Sequence, residues 1–477
     1  MVDVVIVGAG PTGLAAATLL GQYGVRCLVL DRRDTPYPQP RAVHLDDEVY
    51  RILGRLGVAD EFAAISWPCH GLRLLDRRRR VLAEFQRGTD RGRHGYPEAN
   101  MFDQPELEAL LRTNLRRYDT VAVRGDAEVT AVTQDDSLVR LDLATGEPLH
   151  ARYLLGCDGA NSLTRAAIGA TMRDLGRAQR WLVADVDTSA ELGEWEGVHQ
   201  VCDPARAATY MRVGRTRYRW EFRLAAGETA EHYRDPGRLH PLVSPWTGDI
   251  PVTALRLVRL AEYTFRAQVA DRWRDRRVFL LGDAAHLTPP FIGQGLGSGL
   301  RDTANLSWKL AGILAGELPE STLDSYQAER APHARALIRL ATLVGTLMTG
   351  GGGPGNLVRA AVVPRLHLVP GLRERILSSE TPALHRSDLV VRPRLRRGLA
   401  GTLCPNAVLD DGRRYDQVAA GRFAVVTAVA PTAPERARIA RRGAVLLLAR
   451  SGTELHCWLR RGHAYAALVR PDGTVLY

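Results

Sequence analysis

Residues 3–33, DVVIVGAGPTGLAAATLLGQYGVRCLVLDRR, leave this chain the least freedom. Val4 to Val7 is an apolar run of strand length, and Gly8, Gly10 and Gly13 follow with G-x-G-x-x-G spacing. A helix is predicted from about Gly13 to Tyr23, then a second strand from Cys27 to Leu30 that ends in Asp31. The three glycines have separate tasks: a tight turn, close approach of the backbone to a pyrophosphate, and close helix–strand packing. Asp31, 18 residues after Gly13, stands where a carboxylate accepts hydrogen bonds from ribose hydroxyls. Together these features predict an α/β fold that binds a dinucleotide. A glycine-rich turn in an ordinary α/β protein would explain neither the acid nor the second site farther along.

That second site is residues 277–310, RVFLLGDAAHLTPPFIGQGLGSGLRDTANLSWKL. Val278 to Leu281 is wholly apolar, as in a buried parallel strand, and it delivers Asp283 to the carboxyl edge of a sheet. Prolines and glycines then form a rigid turn before a helix expected from Ser298, carrying Leu300, Ala304, Trp308 and Ala311. Such a turn presents backbone N–H groups and helix-dipole charge at the strand ends. A planar, hydrogen-bonding, partly anionic cofactor fits there.

At 477 residues the chain is long enough for two or three domains with sizeable cores. Its net charge of +11 points to no acidic partner, because Lys309 is the only lysine and the excess is an arginine bias. The basic run Arg77 to Arg80 has no interleaved aromatic residues and no nucleic-acid motif around it, so it reads as a solvated turn. Six scattered cysteines (Cys27, Cys69, Cys157, Cys202, Cys404, Cys457) form no CxxC pair and no zinc spacing, as expected of reduced thiols in the cytoplasm. The amino terminus enters a strand without an apolar leader, which argues against secretion. No uncharged apolar run reaches membrane-spanning length; 337–349 comes nearest, but Arg339 and the glycines after it interrupt.

Between the two sites, prolines forbid helix until about Leu45. Arg41 at the exit of this loop is a candidate for cofactor phosphates or substrate, against the alternative of a surface arginine. His44 is a candidate base or pocket donor, against a structural histidine. Residues 70–86 read as strand–turn–strand, and Gln104-Pro105 opens a helix with Leu107, Leu110, Leu111 and Leu115 on one face. Short strands are expected near 121–123, 128–132 and 139–143, and Tyr153 to Gly156 leads into Cys157-Asp158-Gly159. From 176 to 265 alternating strands predict a substrate domain, with a hairpin at Gly214-Arg215 and Tyr210, Arg212, Tyr218 and Trp220 as candidate pocket residues. Alternation allows only about half of them to line a site. Residues 320–399 read as mostly helical with a loop at 350–356, and 401–477 as a small α/β unit.

GAGPTG, GCDGANSLTR and LLGDAAHLTPPFIGQGLGSGLRDTANLSWKLA, in that order, resemble the FAD-dependent aromatic hydroxylases, single-component flavoprotein monooxygenases with the p-hydroxybenzoate hydroxylase fold. YGVRCLVLDR, QPRAV, LDDE, QPELEALLR, YRWEF and LDSYQAERAPHA resemble the 3-(3-hydroxyphenyl)propionate hydroxylase branch and related natural-product tailoring enzymes. The resemblance covers residue 2 to about 345, with a fainter echo at 401–477.

It implies a Rossmann-like FAD-binding domain (1–175 and 266–399, including the helical segment 320–399), with part of the substrate sheet drawn from 70–100. An inserted β-sheet substrate domain (176–265) and a shortened thioredoxin-like appendage (400–477) complete the expected architecture. Non-covalent FAD and NADPH or NADH are the implied cofactors. The partners are a small phenolic or polycyclic aromatic substrate and O2, in a monomer or homodimer, with oxygen transferred through a flavin C4a-hydroperoxide. Carried over by position, Gly8, Gly10, Pro11, Thr12 and Gly13 hold the pyrophosphate, and Asp31 and Arg32 the adenosine side. Arg41, Gln104 and Asp283 contact the phosphates and ribityl chain, and Asp158 belongs to a motif shared by FAD and NAD(P)H. Pro290, Gly293, Gln294, Gly295, Leu296 and Gly297 lie beside the flavin ring, with His44 and Pro290 as catalytic candidates. Phenol hydroxylases of this fold carry an aspartate where Val43 stands here, so His44, then Tyr218 and His286, are the candidates for activating the substrate. A dehydrogenase, a reductase or a Baeyer–Villiger oxygenase would use the same scaffold.

Overall fold

The computed structural model describes residues 2–37, 41–349, 381–392 and 398–477. The amino-terminal strand Val2–Val7 lies in the middle of a parallel run ordered Val278–Leu280, Pro148–Gly156, Val2–Val7, Cys27–Leu30, Val121–Arg124. Its side chains are covered on both faces, so Val4, Val5 and Ile6 are wholly buried, and this is why the segment is apolar without alternation. Strands Val129–Gln134 and Val139–Leu143 extend the sheet antiparallel from Pro148–Gly156. Helix Pro11–Gln22 packs against two others, Gln104–Leu115 and Gly295–Leu314.

Two helices begin earlier than their sequence suggests. The first starts at Pro11, whose fixed φ suits the first helical position. The second starts at Gly295 rather than Ser298, because Gly293, at φ 64°, makes the turn and the later glycines serve packing. A Cβ on Gly299 would lie 2.4 Å from Thr12 Oγ1, and one on Gly297 2.8 Å from Val49 Cγ2.

A separate sheet of seven strands runs Arg256–Phe265, Gln179–Asp187, Arg217–Arg223, Ala208–Arg212, Val198–Val201, Gly71–Leu75, Val81–Gln86. One face packs under helix Pro236–Thr247, where Trp246 stacks on Tyr210 at 5.8 Å between ring centres. The opposite face looks toward the cofactor-loop segment Pro290–Ile292, whose Phe291 carbonyl accepts a 2.9 Å hydrogen bond from Gln200. Helix Asp324–Thr349 accounts for part of the helical expectation over 320–399; the loop expected at 350–356 lies outside the described residues.

Near the carboxyl end, Ala424–Thr427 pairs parallel with Val445–Leu448 and antiparallel with Ala466–Val469. Buried charge ties this unit to the rest. Arg51 donates two hydrogen bonds to Asp416 (2.6 and 2.7 Å), and Arg470 reaches Glu329 at 3.0 Å. Glu329 also accepts from Lys309 at 3.1 Å and from Asn305 and Ser387 at 2.6 Å each. Burial alone would raise the Glu329 carboxyl, but Lys309 and Arg470 hold it at about 2. Removing one member of such a cluster strands its partners' charge, which costs roughly 3–5 kcal/mol. Glu329→Ala is therefore expected to lower the thermal unfolding midpoint far more than Glu329→Gln, read by circular dichroism at neutral pH.

Candidate functional site

A cavity of about 1830 Å³ begins at the amino-terminal glycine turn, passes Asp31, Arg41 and Asp283, follows the segment Pro290–Leu296 and ends against the seven-stranded sheet. Pockets for drug-sized ligands measure about 300–1,000 Å³, so this one has room for a dinucleotide and a second molecule.

Its near wall is shaped by glycine. Gly8 has φ +104°, and a Cβ there would sit 2.3 Å from the Cys157 carbonyl oxygen. Gly13 is closed against Gly8, its missing Cβ 1.9 Å from that carbonyl oxygen. Gly10 is different: its φ is −76°, and nothing lies within 4 Å of where its Cβ would be. The space beside Gly10 is thus a cradle that a side chain would fill. The helix it caps has no side-chain cap, so its first N–H groups are unclaimed by side chains, as an anion site requires. Pro11 and Thr12 share this wall. Asp31 accepts 2.7 Å and 2.9 Å bonds from the Ala9 and Arg33 N–H groups, which aim its carboxylate beside the turn, and Arg32 lies at the rim.

Farther in, the Gln104 side chain accepts from Ala42 N–H (2.7 Å) and donates to Glu108 (2.7 Å), bracing the chain beside Arg41. Arg41 is exposed along the cavity, and Asp283 opens into it while burial pushes its carboxyl above the usual range. Asp158 lines the cavity too, yet both its oxygens are used locally, by Ser162 Oγ at 2.6 Å and Thr164 N–H at 2.9 Å. Its carboxylate braces the turn after strand Pro148–Gly156.

Pro290, Gly293, Gln294, Gly295 and Leu296 form one wall, and helix Gly295–Leu314 has no side-chain N-cap. The Gln294 amide is turned away into a buried network, donating to Asp46 (2.8 Å) and accepting from Arg301 (2.9 Å). Burial would raise the Asp46 carboxyl, but Arg301 holds it at about 2. Gly297 does not line the cavity; it lets the helix approach Val49.

His44 does line it, against the main chain of Gly293. Burial pushes its pKa down to about 4, with Arg87 adding to the effect and Asp46 opposing it. The ring is neutral near pH 7, and its hydrogen-bonding contact within the protein is with the main chain of Gly293. His286 is elsewhere: fully buried, its Nε2 lies 2.8 Å from Asp302, which also accepts from Arg330 at 2.8 Å. It belongs to the core beneath the loop.

The four sheet candidates do not line this cavity. Tyr210, Tyr218 and Trp220 are buried with Trp246 under helix Pro236–Thr247, and Arg212 pairs with Glu196 at 3.0 Å and Glu191 at 3.3 Å. Cross-strand register puts all four on one side (Tyr210 opposite Trp220, Arg212 opposite Tyr218), so a period of two sends their neighbours to the cavity. Those neighbours are Thr209, Met211, Arg219 and Glu221. The available signal was charge inside an otherwise apolar strand, YRWEF; large aromatic residues drew attention to the opposite phase.

A family model described as FAD binding domain matches residues 1–341. The chain belongs to this FAD-binding family. It is 39% identical over 353 residues to a probable NADH-specific resorcinol 4-hydroxylase of Rhodococcus jostii (strain RHA1), covering 73% of this chain and 66% of that protein. A 3-(3-hydroxy-phenyl)propionate/3-hydroxycinnamic acid hydroxylase of Mycobacterium sp. (strain JLS) is 37% identical over 394 residues, covering 81% and 67%. The chain thus spans about two thirds of the length of these curated relatives. Aklavinone-11 hydroxylase, solved with FAD and aklavinone, superposes with a TM-score of 0.82 at 26% identity, over 100% of this chain and 95% of that one. FAD is the cofactor that this family's fold accommodates, and the open cradle at Gly10 fits it.

Gly10→Ala should change stability by no more than about 1 kcal/mol while sharply reducing FAD retained through gel filtration. Gly13→Ala should impair folding itself, seen as loss of soluble protein or a lower unfolding midpoint. His44 supplies a pH effect. Its folded pKa of about 4 lies below the ordinary 6.5, so the unfolded chain takes up the proton first and stability falls as pH drops from 6.5 to 4. In the FAD-free protein, His44→Gln should lose less stability across that window than the wild type.

Proposed function

We propose that this protein is an FAD-dependent aromatic hydroxylase using NADH or NADPH and O2 on a phenolic or polycyclic aromatic substrate. The observation that carries this reading is the continuity of the cavity, from the glycine turn to an apolar slot between Pro290–Ile292 and the seven-stranded sheet. The named activities of the relatives, which act on hydroxylated aromatic compounds, support it. FAD, when bound, supplies the acceptance of hydride and the activation of oxygen.

The residues have distinct tasks in this reading. Gly8, Gly10, Pro11 and Thr12 hold the pyrophosphate at the helix start, and Asp31 takes the ribose. Arg41 and Asp283 hold the middle of the cofactor. The N–H groups of Gly295 and Leu296, at an uncapped helix start, would stabilise negative charge on the bound cofactor. Leu72, Leu74, Phe85, Val198, Met211 and Phe291 give the slot an apolar lining that receives an aromatic ring and excludes water. Neutral His44 stands beside Gly293 as a hydrogen-bonding group. In this division, 1–175 with 266–399 holds the cofactor and 176–265 with strands from 70–100 covers the substrate. Residues 400–477 form a shortened thioredoxin-like appendage, which has no CxxC pair and serves packing or dimerisation.

The test is oxygen and NAD(P)H consumption by FAD-loaded protein across a panel of phenols and polycyclic aromatics in labelled oxygen. One labelled oxygen atom in a phenolic product is the expected result. Substrate-dependent turnover with no label in any product would move the protein to dehydrogenation; label in an ester would make it a Baeyer–Villiger oxygenase.

A further inference from the structure

The cavity face of the seven-stranded sheet carries polar residues in register. Gln200, Thr209 and Glu221 are neighbours across three adjacent strands, and Met211, Arg219, Asp185 and Arg259 form the next row. Nearly every charge here is answered. Arg219 donates to both Asp185 oxygens, at 2.7 and 3.0 Å, and to the Arg41 carbonyl at 2.9 Å. Arg259 stands 3.8 Å from Asp185, and Gln200 is committed to the Phe291 carbonyl.

Glu221 is answered only at a distance, by the charges of Arg219 and Arg259. Its side chain is only 7% exposed and lines the cavity, yet no hydrogen bond or ion pair reaches its carboxylate among the described residues. Thr209, directly opposite on the next strand and 5% exposed, also lines the cavity with its hydroxyl unengaged. Directly opposed residues have Cβ atoms about 4.5–5.5 Å apart, so one small group can touch both side chains. The Glu221 oxygens and the Thr209 hydroxyl are not sealed from the cavity, so a ligand lying there can supply the partner that the protein does not. The apolar residues Leu72, Leu74 and Phe85 stand at the other end of the same face.

We infer that Glu221 and Thr209 form the hydroxyl-recognition point of the substrate cavity: Glu221 accepts a hydrogen bond from a ring hydroxyl, Thr209 donates to the same oxygen, and the pair selects uncharged phenols over aryl carboxylates. The selection has two parts. A ring hydroxyl satisfies both groups, whereas an aryl carboxylate in that position brings a second negative charge against Glu221 and no donor for it. Arg219 and Arg259 attract the Glu221 carboxylate from the next row, but both are shared with Asp185, so a second anion brought against Glu221 is only partly answered. The inference rests on the hydroxylase reading for taking this end of the cavity as the substrate's place.

The test is calorimetric binding to FAD-loaded protein, with resorcinol and 3-hydroxybenzoate as probes that share a ring and a meta hydroxyl. The wild type should bind resorcinol more tightly by about tenfold or more. Glu221→Leu should weaken resorcinol by about 10- to 100-fold, the worth of a hydrogen bond to a charged group. Glu221→Gln should shift the ratio of the two dissociation constants toward 3-hydroxybenzoate by about tenfold, and Tyr218→Phe, on the opposite face, should leave it unmoved. FAD content and unfolding midpoint identify a misfolded variant; Thr209→Val, expected to weaken resorcinol selectively, then carries the test. Failure of the wild type to bind resorcinol, or a ratio unchanged in the folded variants, would overturn the assignment. Binding is read without turnover, so the two readings fail separately: a responsive ratio with no labelled product sinks only the hydroxylase reading, and labelled product with an unmoved ratio sinks only this one.

Discussion

Main chain meets main chain at the amino-terminal turn, and the rest of the architecture depends on that closeness. Gly13 rests on the Gly8 carbonyl, Gly8 on the Cys157 carbonyl, and the Thr12 side chain fits between Gly282 and Gly299. Missing Cβ atoms at these positions would fall 1.9–2.8 Å from their neighbours, distances that no side chain tolerates. Three segments distant in sequence thereby meet at one edge of the parallel sheet, and the cavity opens where their strands end. Ligands of open α/β sheets bind at that edge because strand ends and helix starts leave backbone groups unclaimed there.

Helix Gly295–Leu314 transmits this closeness through buried charge. Arg301 bonds to Asp46 and Glu48, Asp302 to His286 and Arg330, and Lys309 to Glu329, the last two partners sharing helix Asp324–Thr349. Buried ion pairs contribute little net stability when complete, since desolvation offsets attraction, but a wrong register would leave charges stranded. Here they hold the helix start, and with it the cavity wall at Gly295 and Leu296, in one orientation relative to four other segments. Arg470, from the carboxyl-terminal unit, completes the Lys309–Glu329 cluster, so that unit is joined to the same framework.

The second sheet obeys a simpler constraint. Its strands have one face toward Trp246 and one toward the cavity, and a strand offers no third direction. In strands Ala208–Arg212 and Arg217–Arg223 the rings of Tyr210, Tyr218 and Trp220 took the sealed side, leaving Thr209, Met211, Arg219 and Glu221 to face the ligand space, while Trp181 and Phe85 lie on the cavity face with Phe291. The result is a slot apolar near Phe85 and Leu74 and polar near Thr209 and Glu221.

By itself the sequence determined the parallel sheet, the βαβ unit, the position of Asp31, the glycine loop and the short strands near 121–143, because local periodicity and glycine spacing are read within one segment. Most of the cofactor-site residues it pointed to, from Gly8 to Leu296, lie along the cavity wall. The face of the second sheet was decided only by the tertiary structure: alternation is visible in ATYMR and YRWEF, but which phase is inward depends on where helix Pro236–Thr247 docks. The separation of His44 from His286 was decided the same way, since both are histidines near loops and only packing puts one on the cavity and seals the other against Asp302. The uses of Gln294, Gly297 and Asp158 likewise depended on partners such as Arg301 and Val49, or on a local turn, that no spacing rule names. Local chemistry is written along the chain, whereas facing and pairing arise between segments whose distance in space the sequence does not state.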